Sequence, residues 1–145
     1  MGGVQFKMTY TKLSESEVRQ ILSDRGLDDS AIQDMIDSFD GPIYQGNMGD
    51  VFTITESSPG DASGVFVTRG SAGATATDRI NNLALPPNNS AAVDRTVELS
   101  RAQLLLEGNV APQSEWALIA NDGILRTGGG WQVITDGGKY TGAIK

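Results

Sequence analysis

Two short segments carry the residue types best suited to chemistry. Val65-Phe66-Val67-Thr68-Arg69-Gly70-Ser71 reads as a buried strand that delivers one arginine and then a loop of small residues. Gly128-Gly129-Gly130-Trp131-Gln132-Val133 reads as a glycine loop that delivers an aromatic and a glutamine onto another strand. Arg69 and Gln132 lie 63 residues apart, so only the fold can bring them together. A guanidinium binds phosphate bidentately. Glycines let backbone N–H groups approach an anion closely. An arginine at a strand end plus a distant polar residue, both beside glycine, therefore suits a pyrophosphate-bearing ligand such as NAD.

Much other chemistry is excluded by composition. The chain has no cysteine and no histidine. That removes disulfides, thiol nucleophiles, Ser-His-Asp triads and histidine-based acid–base catalysis. With only carboxylates and carbonyls left as ligands, no transition-metal site is expected. The net charge is −7, and nonspecific nucleic-acid binding needs a basic surface, so no nucleic-acid partner is expected. No apolar run reaches the length of a membrane span. Catalysis must run on Arg, Gln, Glu, Asp, Ser, Thr or Tyr.

Each candidate carries two readings. Arg69 is a phosphate anchor or a surface arginine at a strand end. Arg79 is a second phosphate contact or a solvated side chain. Gln132 is a ligand contact or an ordinary strand residue. Trp131 belongs to the core or stacks on a planar ligand ring, a role open also to Phe66 and Tyr44. Glu98 and Glu107 lie in strand-like runs, where alternation points them to solvent. Gly70-Ser71-Ala72-Gly73 is neither a Walker A loop nor a dinucleotide fingerprint. No Gly-Lys-Ser/Thr follows, and Pro86-Pro87 interrupts before a long helix can form.

The elements that must position these residues are of two kinds. Ser14-Glu15-Ser16-Glu17 is a capping box, followed by the stripe Val18, Ile21, Leu22 and a stop at Gly26. Asp28 or Asp29 caps a second helix with the stripe Ile32, Met35, Ile36 and Phe39. Beyond Gly41-Pro42 the pattern turns to short β-prone runs: 43–45, 51–55, 64–68, 96–99, 103–108, 131–135 and 140–144. A strand is also expected over 4–11, a turn of helix over 78–82, and turns at 57–61 and 136–138. Residues 117–120 are ambiguous between helix and strand. Residues 1–145 thus read as one α+β domain, a helical pair at 14–39 on a β-rich body at 43–145. The first residues lack a basic stretch and an apolar run, so they read as no signal peptide but as the start of a domain from a longer protein.

Four motifs occur in order: Thr68-Arg69-Gly70, Leu83-Ala84-Leu85-Pro86-Pro87, Gly108-Asn109-Val110-Ala111-Pro112 and Gly128-Gly129-Gly130-Trp131-Gln132. This order resembles the NAD-consuming toxin domains at the C-termini of bacterial polymorphic toxins. It is most similar to Rhs-associated ADP-ribosyltransferase effectors delivered by type VI secretion, in particular the TreTu type directed at elongation factor Tu. It is more distantly similar to the tuberculosis necrotizing toxin group of NAD glycohydrolases. The resemblance covers about residues 43–145 and leaves the helical pair outside.

The resemblance implies an ADP-ribosyltransferase-like core of two small packed sheets. It implies Arg69, with Gly70 and Ser71, at the phosphates or nicotinamide ribose of NAD. It implies Arg79 as a looser match to a second arginine, and Arg69 and Gln132 as the catalytic residues. NAD is the substrate, no metal is required, and Trp131 or Phe66 stacks on the nicotinamide. The implied partners are a bacterial target protein, elongation factor Tu, and a cognate immunity protein. The implied setting is delivery into the cytoplasm of a target bacterium. Transfer to a protein, hydrolysis by water and a noncatalytic binding module remain the three readings.

Overall fold

Ser14 starts the first helix as its spacing predicts. Its hydroxyl accepts the Glu17 N–H, and the Glu17 carboxylate accepts the Ser14 N–H in return. In the computed structural model, residues 11–46, 52–57, 66–99, 104–135 and 140–144 are described, the side chains of 98–99 and 140–144 excepted. Helix α1 (Glu15–Asp24) follows the strand β1 (Thr11–Leu13), and α2 (Asp29–Asp37) is capped by Asp28, whose carboxylate accepts the Ala31 N–H. The chain continues through β2 (Ile43–Gly46), β3 (Phe52–Glu56), β4 (Phe66–Val67), α3 (Ala76–Leu83) and β5 (Val93–Leu99). It closes with β6 (Leu105–Asn109), α4 (Ser114–Ala120), β7 (Trp131–Ile134) and β8 (Tyr140–Ile144). Residues 117–120, ambiguous in sequence, are helical. Most of the strand expected over 4–11 and the turns at 58–61 and 136–138 lie outside the described residues.

The strands form two antiparallel sheets, ordered β1-β2-β6-β7-β4 and β3-β5-β8. They meet where Thr53 and Thr68 exchange both backbone hydrogen bonds, at 2.8 and 2.9 Å. The mixed α+β class is therefore as expected.

The larger sheet is covered on both faces, with consequences for the site. On one face, Leu106 and Ile134 pack with Val18, Leu22, Ile32 and Phe39 of the helical pair and its end. On the other, Leu105, Val133 and Val67 meet Phe52, Ile54 and Val97 of the smaller sheet. Leu105, Leu106, Val133 and Ile134 are fully buried, each contributing about 1.5–3 kcal/mol of apolar transfer. Arg25 fastens α1 to this sheet by donating to the carbonyls of Leu104 (2.6 Å) and Thr135 (3.1 Å). Among the described residues no helix is long and apolar enough to cross a membrane.

Candidate functional site

Residues from all four motifs line one cavity of about 480 Å³. Thr68 and Gln132 come from neighbouring strands, Leu83 to Pro86 from the connector after α3, and Val110 from the segment after β6. Thr53 to Ser57 of the smaller sheet, Gln113 and Trp116 around α4, and Ser38 at the end of α2 complete the wall. Sheet register explains the convergence. Phe66 stands opposite Ile134 and Val67 opposite Val133, so Thr68 and Gln132 emerge side by side on one face. Thr68 is held there because its hydroxyl donates to the Trp131 carbonyl.

Gln132 is buried and held in one orientation. Its amide nitrogen donates to the Ser38 carbonyl at 3.0 Å and to the Ser38 hydroxyl at 2.9 Å. A carbonyl only accepts, so the nitrogen must be the group facing Ser38. The carboxamide oxygen accepts no hydrogen bond from the described residues, which leaves it available to a hydroxyl in the cavity. Phe66, 43% exposed, and the half-buried Trp116 supply aromatic surface on the same wall. Glu56 brings a buried carboxylate, neutralised by Arg95 at 2.6 Å.

The connector is pinned by a residue that sequence alone does not single out. Arg126 is 1% exposed and sits at φ 58°. It donates to the Leu85 carbonyl at 2.7 Å and forks onto both oxygens of Asp122 at 3.0 Å. The Arg126 guanidinium, then the Ile124 N–H, hold the Asp122 carboxyl down to about 2. A carboxylate lowered in the folded state contributes stability above its unfolded value of about 3.9 and loses it as pH falls through the folded value. Asp122→Asn is thus expected to melt lower than wild type at neutral pH. The gap should close between about pH 4 and pH 2, and thermal melts across that range would check it.

The glycine run serves packing rather than anion binding. The N–H groups of Gly128, Gly129 and Gly130 donate to the carbonyls of Asn81, Val110 and Asn82, each at 2.9 Å. A Cβ on Gly128 would lie 2.4 Å from the Val110 carbonyl oxygen. Glycine is required here because the loop lies flat against α3 and the 110 segment, which brings Gln132 to the cavity.

Arg69 does not line the cavity. It emerges on the opposite face of the sheet from Gln132 and grips the carboxylate of Glu107 with two bonds of 2.8 and 2.7 Å. Glu107 is fully buried and also accepts the Trp131 indole N–H at 2.9 Å. The guanidinium lies 4.8 Å over the Phe52 ring, and Tyr44 stacks on Trp131 with centroids 6.1 Å apart. The expectation that Glu107 faces solvent is corrected here. Alternation points a side chain to water only where one sheet face is bare, and this sheet is covered on both. Glu98 has its side chain outside the described residues.

Gly46, opposite Leu105, makes room for this carboxylate. A Cβ there would collide with the Glu107 carboxylate. Gly46→Ala is expected to cost about 1–3 kcal/mol as Glu107 is pushed off its partners, measurable by denaturant unfolding.

Arg79 also has protein partners. It donates to the Ala91 carbonyl at 2.9 and 2.6 Å and to the Gly73 carbonyl at 3.3 Å, and lies 3.5 Å from Asp94. Gly70 and Ser71 are exposed in the loop before α3, where the Ser71 hydroxyl accepts the Gly73 N–H. Trp131 is half-buried against the inter-sheet core. Of the residues singled out in sequence, Gln132 and Phe66 meet at the cavity, whereas Arg69 and Trp131 meet behind it. Ser38, Thr53, Gln113, Trp116 and Arg126 have no local sequence signature. Compared with protein-family models, curated proteins and solved structures, the chain matches none.

Proposed function

We propose that this domain cleaves the nicotinamide–ribose bond of NAD and transfers ADP-ribose to a bacterial protein. The resemblance points to elongation factor Tu as that protein, and to a toxin delivered by type VI secretion and countered by an immunity protein. The observation that carries the reading is the meeting of four separated motifs around one cavity, with the Gln132 carboxamide oxygen left for a ligand. In this reading the fold is an ADP-ribosyltransferase-like pair of sheets.

The chemistry suits a site without histidine. The bond from the ribose anomeric carbon to the nicotinamide nitrogen breaks, and its electron pair neutralises the pyridinium. Nicotinamide therefore leaves without a proton donor. The sugar passes through an oxocarbenium-like state. Gln132 accepts a hydrogen bond from a ribose hydroxyl, while Phe66 or Trp116 offers a face to the planar ring. The acceptor then bonds to the anomeric carbon and its proton passes to water. Arg69 contributes from behind the wall by holding Glu107 and, through it, the Trp131 indole.

Hydrolysis by water is the second reading, favoured by the amide at position 132. An amide is no general base, and the Glu56 carboxylate is engaged by Arg95, so the described residues of the site offer little to activate a protein nucleophile. Mass spectrometry of a bacterial lysate incubated with NAD and the domain, wild type against Gln132→Ala, separates the two. A discrete protein gaining ADP-ribose with wild type alone supports transfer. Loss of NAD without a modified protein supports hydrolysis. An unchanged NAD pool and proteome would sink both and leave a binding module.

A further inference from the structure

The helical pair lies outside the resembling motifs, yet its end forms part of the cavity wall. Helix α2 stops at Ser38, and the chain then joins the larger sheet. Asp40 N–H donates to the Asn109 carbonyl and Ala111 N–H to the Ser38 carbonyl, both at 2.8 Å. Phe39 packs so tightly on Gly108 that a Cβ there would lie 2.8 Å from its ring. Ser38 is therefore fixed relative to β6 and β7.

Both Ser38 atoms that face Gln132 are acceptors. The carbonyl oxygen cannot donate, and the hydroxyl donates its proton to the Met35 carbonyl at 2.5 Å. A side-chain amide can turn over with little change of shape, exchanging its oxygen and nitrogen. Ser38 allows one of the two orientations. We propose that Ser38 is a positioning residue: it captures the Gln132 amide nitrogen, turns the carboxamide oxygen to the ligand, and requires an amide rather than a carboxylate at position 132. An ionised carboxylate there would face a carbonyl oxygen at about the same 3.0 Å with no proton between them. Residues 14–39 thereby belong to the catalytic unit. The role in turnover rests on the NAD reading above, whereas the preference for an amide does not.

Two experiments test this. In steady-state NAD turnover, Ser38→Ala is expected to lower kcat about fivefold, the effect of one lost neutral hydrogen bond, with KM little changed. Ser38→Thr, which keeps a hydroxyl, should recover most of the loss. Ser38→Ala added to Gln132→Ala should slow it no further, because Ser38 acts through the amide. A further loss of the same size in that double variant would overturn the assignment.

The second experiment needs no turnover. Gln132→Glu is compared with wild type by thermal melting from pH 8 to pH 5. Burial and the Ser38 carbonyl disfavour the ionised form, which raises the introduced carboxyl above its unfolded value. The protonated form can donate to Ser38, so the melting deficit should be large at pH 8 and shrink as pH falls. Among the described residues, the titratable groups around position 132 include Glu56 with Arg95 on the cavity wall, Glu107 with Arg69 behind the sheet, and Asp37 and Asp40 beside Ser38. All are present in both proteins, so the difference isolates the new carboxyl. A deficit independent of pH, or none at all, would overturn the proposal. If wild type turns over no NAD, the NAD reading fails, and the melting comparison still decides whether position 132 prefers an amide to a carboxylate.

Discussion

Gln132→Ala is expected to lower NAD turnover by about 100-fold with the fold intact. Hydrogen bonds to a sugar hydroxyl that tighten in an oxocarbenium-like state contribute several kcal/mol, and each factor of ten corresponds to about 1.4 kcal/mol. In the proposed reaction the interaction strengthens as the nicotinamide bond breaks, so the loss should fall on kcat. The fold should survive because Gln132 bonds to the backbone and hydroxyl of one residue at the cavity edge rather than to the core. Turnover measured alongside a thermal melt separates the two effects. A variant that melts like wild type and consumes NAD at the wild-type rate would remove Gln132 from the chemistry.

Arg69→Ala is expected to fail differently, through stability. Glu107 is fully buried and Arg69 supplies its bidentate partner. Removing one partner of a buried ion pair strands the other charge at a cost of about 3–5 kcal/mol. Whole domains are stable by only about 5–15 kcal/mol, so the single variant approaches unfolding. Replacing both charges, as Arg69→Met with Glu107→Gln, removes the stranded carboxylate and keeps an acceptor for the Trp131 indole. Denaturant unfolding of the pair should return most of the lost stability. NAD kinetics then assign the arginine: an unchanged KM means that Arg69 acts through the framework, whereas a KM raised many-fold in the well-folded pair means that it contacts NAD itself.

Local signals were legible where the controlling interaction spans a few residues. Ser14 and Glu17 form their reciprocal cap three residues apart, and Asp28 caps α2 at the same spacing. The short β-prone runs at 43–45, 51–55 and 131–135 correspond to β2, β3 and β7 within a residue or two. Gln132 was legible as a candidate because a glycine run precedes it. Why those glycines are needed was not. Their N–H groups serve Asn81, Asn82 and Val110 rather than a ligand, and close contact with a distant segment leaves no mark in the run itself.

Residue order alone establishes a histidine-free, cysteine-free α+β chain with two capped helices, then short strands, and the glutamine and arginine that merit attention. Tertiary structure decides which face each of them serves. Side chains alternate along a strand, so Thr68 and Gln132 share the cavity while Arg69 turns to the other face and meets Glu107. Alternation specifies that two residues differ in face, but not which face holds water, because that depends on what packs against the sheet. Here the helical pair covers one side and the second sheet the other. That double cover buries Glu107, gives Arg69 its partner, and brings Ser38 against Gln132 across 94 residues of chain.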